Sequence, residues 1–119
     1  MSDPNSTVSL DSQKGDGDAE EILDILDVEE FAKENEHNRR KPRAHFYVIR
    51  IDREKKKVSV PSLMGKEILA LVNKTPSTHK LFQKFRGGEA KPVDPDERVD
   101  FTSPGVERFQ TIPLDPTEG

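Results

Sequence analysis

Between Ala44 and Pro113 the chain runs through short stretches of apolar alternation and one stretch of helical spacing, each broken by turn formers, and this order restricts its fold more than any other feature. His45 to Asp52 (HFYVIRID) is rich in β-branched and aromatic residues; with Arg50 facing water, alternation turns Tyr47, Ile49 and Ile51 inward. The charged run Asp52 to Lys57 (DREKKK) reads as a turn, and Lys57 to Pro61 (KVSVP) as a return strand with Val58 and Val60 on one face, which completes an N-terminal hairpin. Three consecutive lysines also oppose edge-to-edge association. Ser62 is the expected N-cap of a helix over Lys66 to Asn73 (KEILALVN), whose Ile68 and Val72, at i and i+4, face the hairpin. Asn73 to Thr78 (NKTPST) ends that helix, because Pro76 has no amide donor and restricts Thr75 before it. About 17 residues thus join the second strand to the third, enough for a crossover helix.

His79 to Phe85 (HKLFQKF) alternates again, with Leu81, Gln83 and Phe85 on one side and Lys80, Phe82 and Lys84 on the other, so Phe82 is expected to face solvent. Gly87 and Gly88 break the strand, Glu89 to Glu97 is expected as loop, Arg98 to Phe101 as a short strand, and Pro104-Gly105 as a turn. Glu107 to Ile112 closes the body, with Phe109 and Thr111 on one face and Arg108, Gln110 and Ile112 on the other. Hairpin, helix, strand, short strand, strand predicts an α+β domain: a mixed sheet of four to five strands curled around one helix, the β-grasp arrangement. A domain of about 70 residues is small but folds without metals or disulfides.

The residues before Ala44 have a different character. Of the 119 residues 31% are hydrophobic and 35% charged, too few apolar groups for a core spanning the whole length. Residues 1–36 hold 12 acids against Lys14 and Lys33, while His37 to Arg43 (HNRRKPR) carries Arg39, Arg40, Lys41 and Arg43. Residues 1–43 are therefore expected to be a disordered acidic leader ending in a basic linker at 37–43. Within it, Ala19 to Glu34 (AEEILDILDVEEFAKE) has helical spacing that puts Ile22 and Leu26 on one face, with Ile25 at its border. Roughly 16 residues is near the lower limit for an isolated helix, so the segment needs a surface. Either it is a docking motif whose Ile22, Leu26 and Phe31 fold onto a partner, or it folds back and covers Phe46 and Val48. Four basic residues without interleaved aromatics describe a solvated linker and not a nucleic-acid site.

Several functions are excluded or disfavoured. Without cysteine there is no disulfide, zinc-thiolate site or cysteine nucleophile, and His37, His45 and His79 are too scattered for a metal site. Asp94, Asp96 and Glu97 lack the spacing of a calcium loop. No catalytic constellation and no cofactor site are expected, so an enzyme is not. No stretch reaches the roughly 18 apolar residues of a membrane span, and the N-terminus lacks the order of a signal peptide, which predicts a cytoplasmic protein without a membrane partner.

The stretch from Tyr47 through GKEILALVNKTP, HKLFQKFRGG and DERVDFTSPGVERFQTIP resembles the bacterial ubiquitin-like modifiers of the multiubiquitin type, over residues 44–119, with PGVERF (Pro104 to Phe109) its most specific part. Val28 to Ala44 (VEEFAKENEHNRRKPRA) is similar to the leader of single-domain members encoded beside activating-enzyme-like, conjugating-enzyme-like and JAB-type deubiquitinase-like proteins, and PLDPTEG is similar to their termini. The resemblance implies a ubiquitin-like domain over 44–113 and a conjugation tail over 114–119. It implies that the Gly119 carboxylate is adenylated by ATP, passed through the activating and conjugating enzymes, and joined to target proteins by an isopeptide bond. It also implies a bacterial conjugation operon with a role in defence against phage.

In that reading Leu114, Asp115, Pro116, Thr117 and Glu118 are the tail that the enzymes recognise. The seven residues after Ile112, to Gly119, span at most roughly 23 to 25 Å when extended, and a last residue without Cβ passes a narrow channel. Ubiquitin has a basic residue before its terminal Gly-Gly; Glu118 here predicts a basic contact in the activating enzyme. The internal Arg86-Gly87-Gly88 is expected to be a turn. Phe82, Gln110 and Ile112 are expected to form an apolar patch on the outer sheet face, where ubiquitin carries its main recognition surface, unless Phe82 packs under the leader or a loop. A noncovalent β-grasp interaction module, recruiting partners through leader and patch, is the alternative.

Overall fold

The computed structural model describes residues 22–34 and 39–115. Its elements are β1 (Leu23–Asp27), α1 (Val28–Glu34), β2 (Ala44–Ile51), β3 (Glu54–Val58), β4 (Ser62–Met64), α2 (Gly65–Leu71), β5 (His79–Phe85), β6 (Ala90–Val93), β7 (Arg98–Asp100) and β8 (Val106–Pro113). β2 organises the sheet: β3 runs antiparallel along one edge. The other edge is shared, with β1 parallel to its first half and β8 parallel at its end, where Ile51 lies opposite Phe109. β5 is antiparallel to β8 and β6 to β5, while β4 and β7 form a separate two-stranded ribbon. The fold is α+β and of the β-grasp kind, as the sequence predicts, with a wider sheet and a second helix.

Alternation fills the core. Tyr47, Ile49 and Ile51 of β2, Leu81 of β5 and Phe109 of β8 are buried, and Ile68, Leu69 and Val72 join them from α2 and its end. Phe101 sits between Tyr47 and Phe109, its ring 6.5 Å from the first and 6.0 Å, edge-on, from the second. The Tyr47 hydroxyl accepts the Ala44 amide at 2.9 Å, so the one polar group on that ring is not wasted.

Four local expectations are corrected. The turn after β2 is two residues long, because Asp52 adopts the left-handed conformation at φ 55°, so Lys55, Lys56 and Lys57 belong to β3 and not to the turn. The helix is not capped by Ser62, which pairs with Asp100 in the ribbon; Glu67 instead accepts the Met64 amide at 2.7 Å, and Glu97 and Pro95 carbonyls accept the Gly65 and Lys66 amides. Pro76 does not terminate it either. Asn73, at φ 62°, turns the chain so that Lys74 N–H reaches the Leu69 carbonyl and Asn73 N–H that of Ala70, a Schellman closure. Part of the expected loop at 89–97 is strand β6, and Pro92 fits there because β6 is an edge.

The largest correction concerns the expected helix over 19–34. Residues 23–27 are a strand, and only Val28–Glu34 are helical. Pairing with the free first half of β2 satisfies the backbone of a segment too short to hold a helix alone, and alternation then sends Leu26 into the core and Ile25 outward. α1 is fastened by Glu29, which is buried and ion-paired at 3.2 Å to both Arg50 and Lys33. Val28, the first residue of α1, is buried in the core cluster, and the Glu29–Arg50 pair ties the helix to β2. Residues 1–21, including the start of the expected helix, lie outside the described residues.

Candidate functional site

β8 is where the fold hands the chain over to its tail, and its exit is held by one polar cluster. The Asp52 carboxylate accepts the Thr111 amide at 2.8 Å and the Thr111 hydroxyl at 2.6 Å, and Lys74 donates to Asp52 at 3.1 Å and to Thr111 at 2.9 Å. Partial burial opposes ionisation of Asp52, yet the bonds from Thr111 and Lys74 outweigh it and hold the carboxyl below the usual range. The β2–β3 turn, the end of α2 and the last strand are thereby tied at one point. Beyond it His79 lies opposite Pro113, and the Leu114 amide donates to the Thr78 carbonyl at 2.9 Å, continuing the β5–β8 ladder by one bond. Leu114 and Asp115 are exposed. Pro116, Thr117, Glu118 and Gly119 lie outside the described residues.

The outer face beside this exit brings together Phe82, Gln110 and Ile112. Phe82 lies directly opposite Gln110, and Lys80 opposite Ile112, so alternation puts all four side chains on one face with Lys84 and Arg108. Ile112 is 44% exposed; Phe82 is half-buried, flanked by Gln110 and by Pro92 of β6, with the Lys80 ammonium 5.9 Å from its ring centre. Phe82 is thus less open than the sequence predicts. The surface is a small apolar centre with a basic rim, suited to a partner that offers an apolar anchor and acidic surroundings.

The three leader residues expected to act together are separated. Leu26 is buried in the core, Phe31 is half-buried against it, and Ile22 is 54% exposed. A strand at 23–27 cannot place Ile22 and Leu26 on a helical face. Ile25, not Leu26, faces outward beside Phe46, whose ring lies 4.8 Å from the Lys57 ammonium. Phe46 and Val48 are half-buried.

Sequence reasoning missed the basic stretch as a structural wall. Lys41 is buried, its ammonium donating to the Ser103 carbonyl at 2.8 Å and its amide to the Thr102 carbonyl. Burial, with Arg40 adding to it and Asp100 opposing, lowers its pKa to about 8. The run HNRRKPR carries no signal that separates a solvated lysine from a packed one. Among the described residues no group of three His, Cys, Asp or Glu side chains is placed to hold a metal ion, and no helix is long and apolar enough to cross a membrane.

A hairpin, a crossing helix and a last strand parallel to the first, with the chain leaving from that strand's exposed end, define a ubiquitin-like domain. A family model described as Multiubiquitin matches residues 47–113, more than half of the chain, and the chain belongs to that family. β1 and α1 lie before the matched region. No curated protein and no solved structure matches the chain.

Proposed function

We propose that the chain is a ubiquitin-like protein modifier and a substrate of enzymes, conjugated through the carboxylate of Gly119. One observation carries the reading: a multiubiquitin domain whose last strand is locked at Thr111 and is followed by the exposed Leu114 and Asp115. In the proposed course the carboxylate attacks the α-phosphorus of ATP and releases pyrophosphate. The acyl adenylate is then taken by a nucleophile of an activating-enzyme-like protein with release of AMP, and passed to a conjugating-enzyme-like protein. A target amine finally attacks the acyl carbon, forming an isopeptide bond and freeing the enzyme's nucleophile. A JAB-type protease reverses the bond by hydrolysis. The partners belong to a bacterial operon and act in the cytoplasm, with Leu114 to Glu118 as the recognised tail.

The second reading, a noncovalent interaction module, is favoured by the Phe82, Gln110 and Ile112 face, which needs no carboxylate chemistry. The two separate in one experiment. The tagged chain is expressed in its own host with and without Gly119, and covalent species are sought under denaturing conditions. Species of higher mass that require Gly119 support the modifier; adducts that persist without it, or none in either sample with the neighbouring enzymes expressed, overturn it.

A further inference from the structure

The stretch Arg40 to Arg43 and the β4–β7 ribbon enclose an open groove of about 580 Å³, lined by Arg40, Lys41, Arg43, Arg98, Asp100 and Thr102 among others. Four basic residues and one acid line it, though the Lys41 ammonium is spent on the Ser103 carbonyl. The groove is built and not incidental: Arg40 donates to Thr102 at 2.6 Å and to Asp100 at 3.2 Å, and Thr102 in turn donates its hydroxyl to Asp100 at 2.7 Å. Asp100, though partial burial works against ionisation, is kept below the usual carboxylate range by Thr102 and Arg40 and so stays charged. That network spends Asp100 on Arg40. Arg98 donates only to the neutral Ser62 hydroxyl, at 3.1 Å, and Arg43 has no carboxylate partner among the described residues. Among the described residues these two guanidinium groups thus line the groove without a counter-charge.

Cations spread along a trough match an extended run of carboxylates better than a single phosphate, which needs donors converging on one point. The nearest such run is on the same chain. The Leu23 amide donates to the Arg43 carbonyl at 2.9 Å, and Leu23 lies opposite Ala44 in the parallel pairing of β1 with β2. Leu23, the first residue of β1, therefore lies beside the groove wall. The segment that precedes β1 carries Asp3, Asp11, Asp16, Asp18, Glu20 and Glu21 against Lys14. We propose that this groove is a receptor for the chain's own acidic segment, residues 1–21, which masks Arg43 and Arg98 until a more acidic partner displaces it. A short tether supplies an effective concentration in the millimolar range, so the intramolecular occupant has the advantage over a free acidic peptide. The inference does not depend on conjugation at Gly119.

The chain has no cysteine, so a single Ser12→Cys change in the full-length protein accepts a spin label at one known site. At low salt the label is expected to broaden the amide signals of Arg43, Arg98 and Thr102 selectively. About 0.5 M salt should remove that broadening, because the contact is screened. Arg43→Glu with Arg98→Glu should abolish it, as should Asp16→Lys with Asp18→Lys, a pair that leaves the folded body untouched. Broadening that is uniform over the surface, centred on Phe82, or indifferent to salt and to both charge reversals would overturn the proposal. Displacement of the label by an added acidic peptide supports the receptor; failure of a large excess to displace it contradicts the role of a mask.

Discussion

Leu26, Ile25 and Ile22 offer a direct test of whether the acidic leader is part of the fold, because the strand and helix readings rank them differently. In the structure Leu26 is 4% exposed, Ile25 48% and Ile22 54%. Truncating a buried leucine to alanine costs about 2 to 5 kcal/mol, the transfer of the lost carbons plus the cavity left behind. A half-exposed isoleucine forfeits about half of the 1.5 to 3 kcal/mol that full burial gives, or about 1 kcal/mol. Leu26→Ala should therefore cost at least twice as much as Ile25→Ala or Ile22→Ala, and lower the melting temperature by about 10 °C or more. Urea unfolding followed by circular dichroism, with the fluorescence of the single, buried tyrosine Tyr47 as a second probe, measures all three. Equal slopes are required for the comparison. Equal losses at Ile22 and Leu26 would restore the helical face and refute the strand. A loss at Leu26 below about 0.5 kcal/mol would show that the leader is no part of the cooperative unit.

Lys41→Met should flatten an alkaline rise in stability. The folded pKa of about 8 lies below the ordinary 10.5, so the folded chain binds fewer protons than the unfolded one between those values, and stability grows by about 3 kcal/mol across that window. Chemical unfolding at both ends of the window checks it. Asp52→Asn should cost about 1.5 to 3 kcal/mol at neutral pH, since the charged acceptor of Thr111 and Lys74 is lost while asparagine tolerates the left-handed turn. Asp52 is held below its unfolded value, so its contribution is present above about pH 4 and fades as pH falls through the folded value; the two proteins should converge in acid unfolding. Gly65→Ala should destabilise by about 1 to 3 kcal/mol, because the added Cβ meets the Asp94 carbonyl oxygen, a backbone atom that cannot swing away; thermal melts measure it.

The parts of the fold that could be read from the sequence are those in which one face decides burial. Tyr47, Ile49, Ile51, Leu81 and Phe109 turn inward because alternation leaves each strand one apolar face, and Ile68 with Val72 follow from helical spacing. The parts that could not be read depend on long-range pairing. LDILD (Leu23 to Asp27) suits a helix as well as a strand by composition, and only the vacant first half of the β2 edge decides for the strand. β6 was obscured by Pro92, which is tolerated because no strand of the described residues pairs with its outer edge. At the candidate site, the placement of Phe82 opposite Gln110 follows from two alternating strands, whereas the Asp52 cluster joins residues 59 apart and has no local signature.

The modifier reading stands or falls on the bond made by the tail. Trypsin cuts after Arg108, and no lysine or arginine follows it, so a conjugated amine should carry the whole remnant Phe109 to Gly119. Mass spectrometry of tryptic digests from the native host, after denaturing capture of the tagged chain, reads this directly. The account predicts target lysines bearing that remnant through the Gly119 carbonyl. Recovery of the same peptide only with a free carboxylate, while the activating and conjugating enzymes are present, would contradict it.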